Sequence, residues 1–178
     1  MIIEKAKRDQ VPSHVIDKAI EKGKTDAKHK ADVLSRIKGT TNLKDLADCD
    51  IIIEAVIENV EEKRKMYAAL DGIVKKDAIF ASNTSSISIT ELMAATKRPE
   101  RFVGLHFFNP VPLMKLVEVI RGLRTTDETC REATALAERL DGGVVLPPLY
   151  TTAPGFCNWR GSISFTPALV KQIAAELY

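Results

Sequence analysis

Two side chains in the middle of the chain are suited to moving a proton: His106 and, twelve residues later, Glu118. Imidazole has a reference pKa of about 6.5, so it can accept a proton near neutral pH. A carboxylate within reach would orient the ring and stabilise its cationic form, as the third group of a catalytic triad does. Val117 and Val119 flank Glu118, and strand alternation puts it on the opposite face from them. Plainer readings stand beside these: His106 as a strand-end histidine satisfied by backbone, Glu118 as a solvated carboxylate on an edge strand. Ser85 lies in the polar run Asn83-Thr84-Ser85-Ser86, which reads equally as a cap for the helix that follows. Asn109 precedes Pro110, which restricts its backbone to extended values.

The elements that would position these groups are strands ending in polar clusters. Ala78-Ile79-Phe80-Ala81 stops at Ser82-Asn83-Thr84-Ser85-Ser86, and Phe102-Val103-Gly104-Leu105 stops at His106-Phe107-Phe108-Asn109-Pro110. A helix from about Ser88 to Ala95 separates them, and Ser88 with Glu91 has capping-box spacing. Strand, helix, strand is a right-handed crossover, and open parallel sheets bind ligands at the carboxyl ends of their strands. Both polar clusters fall at such ends. Leu116 to Ile120 forms a third run, antiparallel, that brings Glu118 back towards His106.

Upstream, Asp50 to Val56 is an apolar run with one carboxylate, the pattern of a buried parallel strand. A helix from about Val60 to Val74 follows, with Met66, Leu70 and Val74 on its inner face. Ser35 to Asn42 reads as a strand and turn, and Leu43 to Asp48 as a short helix or turn. Asp127 to Leu140 reads as a helix with Ala133, Leu136 and Leu140 inward. Gly142-Gly143 would cap it, before a short strand at Val144-Val145-Leu146. Residues 1–37 read as charged helix, with Pro12 where a helix could begin. After Leu146, a Gly/Ser/Pro-containing run argues against helix through Pro167, and Ala168 to Leu177 suits a short terminal helix.

Composition excludes several classes. Hydrophobic residues make up 45% and charged residues 28%, as in soluble globular domains. The net charge of +2 gives no case for a nucleic-acid or membrane surface. Cys49, Cys130 and Cys157 form neither a metal spacing nor a disulfide framework, so no metal is expected and a reducing cytoplasm is the default.

Three motifs carry a resemblance. They are DCDIIIEAVIENVEEK (Asp48–Lys63), IFASNTSSISIT (Ile79–Thr90) and HFFNPVPLMKLVEVI (His106–Ile120). In order and near-family spacing they resemble the 3-hydroxyacyl-CoA dehydrogenases, in particular the bacterial 3-hydroxybutyryl-CoA members, over about residues 31–140. The resemblance implies an α/β fold: a partial Rossmann-type, mostly parallel sheet with flanking helices. It implies NAD-dependent, reversible oxidation of the C3 hydroxyl of a short-chain 3-hydroxyacyl-CoA, in fatty acid or butanoate metabolism. His106 would take the hydroxyl proton while nicotinamide takes the hydride, and Glu118 would orient the imidazole. Ser85 would hydrogen-bond the substrate beside the cofactor. Ala55, Glu58, Lys63 and Asn109 match positions near NAD, and Lys63 also near the CoA, whose phosphate it could attract as a point charge. Glu58 and Lys63 read equally as surface charges at a helix start. Asn158, in PGFCN, matches a substrate-binding asparagine but arrives one residue early.

The family pattern also marks departures. A G-x-G-x-x-G turn and an acidic residue hold the NAD pyrophosphate and ribose in the family, and residues 1–178 contain neither at the matching place. The C-terminal helical domain that covers the acyl-CoA substrate and forms the homodimer is expected to be absent. Three segments are expected: a charged helical 1–30, a truncated NAD-binding domain at 31–146 and a divergent tail at 147–178. Two alternatives accompany the enzyme reading. One is a catalytically inactive truncated or chimeric chain; the other is a regulatory fusion, since residues 2–23 resemble a helical piece of the YebC-type regulators.

Overall fold

The apolar runs of the sequence become strands because each finds a neighbour to complete its backbone hydrogen bonds. In the computed structural model, which describes residues 11–109, 111, 114, 116–140 and 143–145, five strands form one sheet. They are β1 (Ile51–Glu54), β2 (Ile79–Ser82), β3 (Phe102–Phe107), β4 (Leu116–Arg121) and β5 (Gly143–Val145), in the order β1-β2-β3-β4-β5. β1, β2 and β3 run parallel, β4 runs antiparallel to β3, and β5 runs parallel to β4. This is the mostly parallel, Rossmann-type sheet that the motifs predict.

Alternation along the strands sorts two faces. One carries Phe80 and Phe102, onto which Tyr67 of helix α3 (Val60–Asp71) packs at ring distances of 5.2 and 4.8 Å. Helix α4 (Ile89–Met93) covers the same face. There Gly104 leaves room for it: a Cβ at that position would lie 2.8 Å from Ile120 and 2.9 Å from Ile89. The opposite face carries Ile79, Ala81, Val103, Leu105, Val117 and Val119, packed with Ala133 and Ala137 of helix α5 (Asp127–Arg139). Caps follow the sequence signals: Ser88 accepts the Glu91 N–H, Asn59 that of Glu62, and Thr126 that of Thr129.

Two compact units divide between Asp48 and Cys49. The first holds helices α1 (Val11–Glu21) and α2 (Ala27–Ser35) and a 3-10 turn at Leu43–Leu46. Gly23 ends α1 with φ +66°, the left-handed value glycine takes without a Cβ clash. The Gly23 and Lys24 N–H groups close back on Ile20 and Ala19, a Schellman ending. A 2.5 Å ion pair, Lys30–Asp17, joins the two helices. Among the described residues, no helix is long and apolar enough to cross a membrane.

Three expectations need correction. Ser35–Asn42 is not a strand. Arg36 and Ile37 close the end of α2 through Val33 and Leu34, and Thr40 bonds Asp45 and Asn42, so the backbone and polar groups are used locally. The inner face of α3 is Lys63, Tyr67, Leu70 and the following Val74, while Met66 is only half-buried. Leu140 is 54% exposed; it falls past the end of α5, whose inner face is Cys130, Ala133 and Ala137. Gly142, Leu146 and the expected terminal helix at 168–177 lie outside the described residues.

At the amino ends of the strands, Arg98 locks α3 to β2. Its Nε donates to Asp71 Oδ1 at 2.7 Å, its amino groups donate to the Asp71 and Lys75 carbonyls, and its guanidinium lies 4.6 Å from the centre of the Phe80 ring. The side chains of Arg98 and Asp71 are 8% and 4% exposed. Removing one partner of such a pair strands the other charge, at a cost of about 3–5 kcal/mol. Asp71→Ala is therefore expected to lower the urea unfolding midpoint by that equivalent with an unchanged slope. A loss below about 1 kcal/mol would contradict the lock.

Candidate active site

Register brings His106 and Glu118 together. β3 and β4 pair antiparallel with His106 opposite Glu118, and residues directly opposite share a face of the sheet. His106 Nδ1 lies 2.8 Å from Glu118 Oε2, with the side chains 13% and 16% exposed. The Phe108 ring packs on the imidazole at 4.8 Å. An ionised carboxylate can only accept, so facing it Nδ1 is the donor, and in the neutral imidazole that tautomer leaves the lone pair on Nε2. The pair sits at the carboxyl end of β3, on the face covered by α3 and α4.

Next to it the ends of β1 and β2 carry a polar network on the same face. Glu54 and Ser82 are register partners, and the Ser82 hydroxyl donates to Glu54 Oε2 at 2.7 Å. Lys63, one turn before Tyr67, reaches down to Glu54 Oε1 at 2.6 Å; both side chains are at most 1% exposed. The same ammonium reaches Glu58 Oε2 at 3.1 Å and the Val56 carbonyl at 3.4 Å. Glu58 in turn gathers the loop after β2. Its Oε1 accepts from the Thr84 hydroxyl, the Ser85 and Ser86 N–H groups at 3.0 and 3.1 Å, and the Ser86 hydroxyl. Burial alone would raise the Glu58 pKa, but the bonds from Thr84, Lys63 and Ser86 outweigh it and draw it down to about 2. Among the described residues every buried side-chain polar atom has a partner.

Comparison with known proteins now bears on this arrangement. The family model described as "3-hydroxyacyl-CoA dehydrogenase, NAD binding domain" matches residues 3–147.

The chain belongs to the 3-hydroxyacyl-CoA dehydrogenase family.

It is 54% identical over 151 residues to a probable 3-hydroxybutyryl-CoA dehydrogenase of Deinococcus radiodurans, covering 82% of this chain and 52% of that protein. It is 44% identical over 141 residues to the 3-hydroxybutyryl-CoA dehydrogenase of Clostridioides difficile, covering 79% and 49%. Among solved structures, the (S)-3-hydroxybutyryl-CoA dehydrogenase of Ralstonia eutropha superposes with a TM-score of 0.73 at 49% identity, covering 75% of this chain and 47% of that one. The chain thus spans about half the length of these relatives.

Within this family chain the residues singled out from sequence fall at different places. His106 and Glu118 pair across β3 and β4, and the Ser85 loop follows the neighbouring strand β2. Ala55, Glu58, Ser85 and Asn109 are exposed at strand ends. Asn158 lies outside the described residues. Lys63 needs correction: it is not a surface charge. Its side chain is 1% exposed, and its ammonium lies 2.6 Å from Glu54, 3.1 Å from Glu58 and 3.4 Å from the Val56 carbonyl. Sequence reading passed over Glu54, Ser82 and Asn83. The signal for Glu54 was present: a single carboxylate inside an apolar strand requires a buried partner.

The low Glu58 pKa gives a test. A folded value near 2, below the ordinary 4.5, means the carboxylate contributes stability above about pH 4.5 and loses it as pH falls towards 2. Glu58→Gln is expected to be less stable than the unmodified chain near neutral pH, with the gap closing between about pH 4.5 and 2. Denaturant melts across that range measure it. A gap that persists undiminished at pH 2 would show that the ionised form is not what holds the loop.

Proposed function

We propose that these residues carry the NAD-dependent, reversible oxidation of the C3 hydroxyl of a 3-hydroxyacyl-CoA, with short acyl chains such as 3-hydroxybutyryl. The observation that carries this reading is the 2.8 Å His106–Glu118 bond, which directs a basic Nε2 away from the carboxylate. His106 Nε2 removes the hydroxyl proton, and Glu118 stabilises the imidazolium that forms. Ser85, held at the β2 end by Glu58, hydrogen-bonds the substrate oxygen. NAD, when bound, accepts the hydride.

The strand ends suit the nicotinamide end of that cofactor. Ala55 is small and exposed where β1 stops, Val56 and Ile57 are 44% and 70% exposed beside it, and Asn109 is exposed past β3. Apolar surface with a few polar groups is what a nicotinamide and its ribose require. Glu58 and Lys63 belong to this end as the pair that shapes the loop. The pyrophosphate end is different, since residues 1–178 have no glycine-rich turn. Service in fatty acid or butanoate metabolism rests on the resemblance, and a cytoplasmic location on the cysteines, which form no disulfide framework.

The test is a chimera. Residues 49–145 replace the matching segment of the Deinococcus radiodurans relative, and NADH absorbance is followed with acetoacetyl-CoA. The chimera is expected to turn over, and His106→Ala in it to lower kcat by about 10²–10⁴, the usual contribution of a general base. A folded but silent chimera would favour the inactive-chain alternative. The 178-residue chain assayed alone is expected to fall more than about tenfold below the enzyme median of ~10 per second. The missing pyrophosphate contacts weaken cofactor binding tenfold for each ~1.4 kcal/mol lost.

A further inference from the structure

We propose that Asn83 is a positioning residue for His106: its side chain extends the sheet by one rung where the β2 backbone has already turned away. The proposal rests on the reading of His106 as the proton acceptor.

Along a strand, successive N–H groups point to opposite neighbours. The Phe108 N–H points to β4, where it meets the Leu116 carbonyl at 3.5 Å. The Phe107 N–H therefore points to the other side, towards β2. There the backbone ladder has ended: the last register pair is Ser82 with Gly104, three residues short of Phe107. A half-buried N–H without a partner would be costly. Asn83 Oδ1 accepts it at 2.7 Å, in place of the missing strand carbonyl. Asn83 is itself anchored, because its N–H donates to the Glu54 carbonyl at 2.8 Å. One residue thus joins the end of β1, the end of β2 and the end of β3.

The consequence for His106 follows from its place in the chain, directly before Phe107. On the β4 side its strand is held by the antiparallel ladder. On the β2 side the hold at this level is Asn83. Without it, the ends of β3 and β4 would move as a pair. The His106–Glu118 bond would survive, but its placement relative to the Ser85 loop would not. A plain turn residue at position 83 would have no such effect, since the turn lies in the next loop along the sheet.

The test uses the 178-residue chain labelled with ¹⁵N and with ¹³C in histidine, and compares Asn83→Ala with Asn83→Asp. The aspartate keeps an oxygen where the amide oxygen sits. In Asn83→Ala the Phe107 amide is expected to exchange about tenfold faster, and the His106 ring signals to shift and broaden. The Ile51–Glu54 amides are expected to stay as they are. Asn83→Asp is expected to restore both the slow exchange and the sharp ring signals. Asn83→Ser, polar but too short to reach Phe107, is expected to behave like the alanine and takes its place if the alanine variant does not fold. His106 signals that are unchanged in the short variants would overturn the proposal. So would an aspartate that rescues nothing, or a uniform acceleration of all strand amides. None of these readouts needs substrate or turnover, so they fail or succeed apart from the dehydrogenase reading.

Discussion

A lysine and a glutamate, both out of water, set the shape of the loops at the carboxyl ends of β1 and β2. Glu54 and Lys63 lie 2.6 Å apart at 0% and 1% side-chain exposure. Moving either charge out of water is costly, and the pair is held only because each partner is fully engaged. Glu54 takes Lys63, the Ser82 hydroxyl and the Val56 N–H. Lys63 passes the constraint to Glu58, and Glu58 passes it to the backbone of Ser85 and Ser86. The loop that presents Ser85 is therefore shaped from beneath by a buried ion pair.

The His106–Glu118 pair depends on a different constraint, strand register. A shift of one residue between β3 and β4 would turn Glu118 to the α5 face and carry Val117 and Val119 off it. Gly104 guards that register on the same strand, since Ile120 and Ile89 sit where its Cβ would be. Packing around a glycine two residues away thus helps to fix the His106–Glu118 pair, although no polar group takes part.

These two constraints were unequally legible in the sequence. Continuous apolar runs revealed β1, β2 and β3, and polar residues at their ends located the loops. The parity of Glu118 between two valines showed its face, because alternation is a local rule. Lys63 was opaque for the opposite reason. A lysine near a helix start is almost always solvated, and only the fold reveals that Tyr67, one turn on, is wholly buried and draws Lys63 down to Glu54. The lone carboxylate in IIIEAV was the visible half of that pair. Ser35–Asn42 misled because strand-like composition cannot show whether a neighbouring strand exists to complete it. Asn83 looked like a cap residue, and its bond to Phe107 depends on β2 stopping before β3, which no window of sequence contains.

The two faces of the sheet divide labour sharply. The polar side chains on the strands themselves, Glu54, Ser82, His106 and Glu118, lie on the face of α3 and α4. The α5 face is packed with Val103, Leu105, Val117, Val119, Ala133 and Ala137 and carries none of them. Alternation gives the two faces different neighbours. The sheet therefore works as a partition: the α5 side presents packing surface, and the polar chemistry is gathered behind it on the other face.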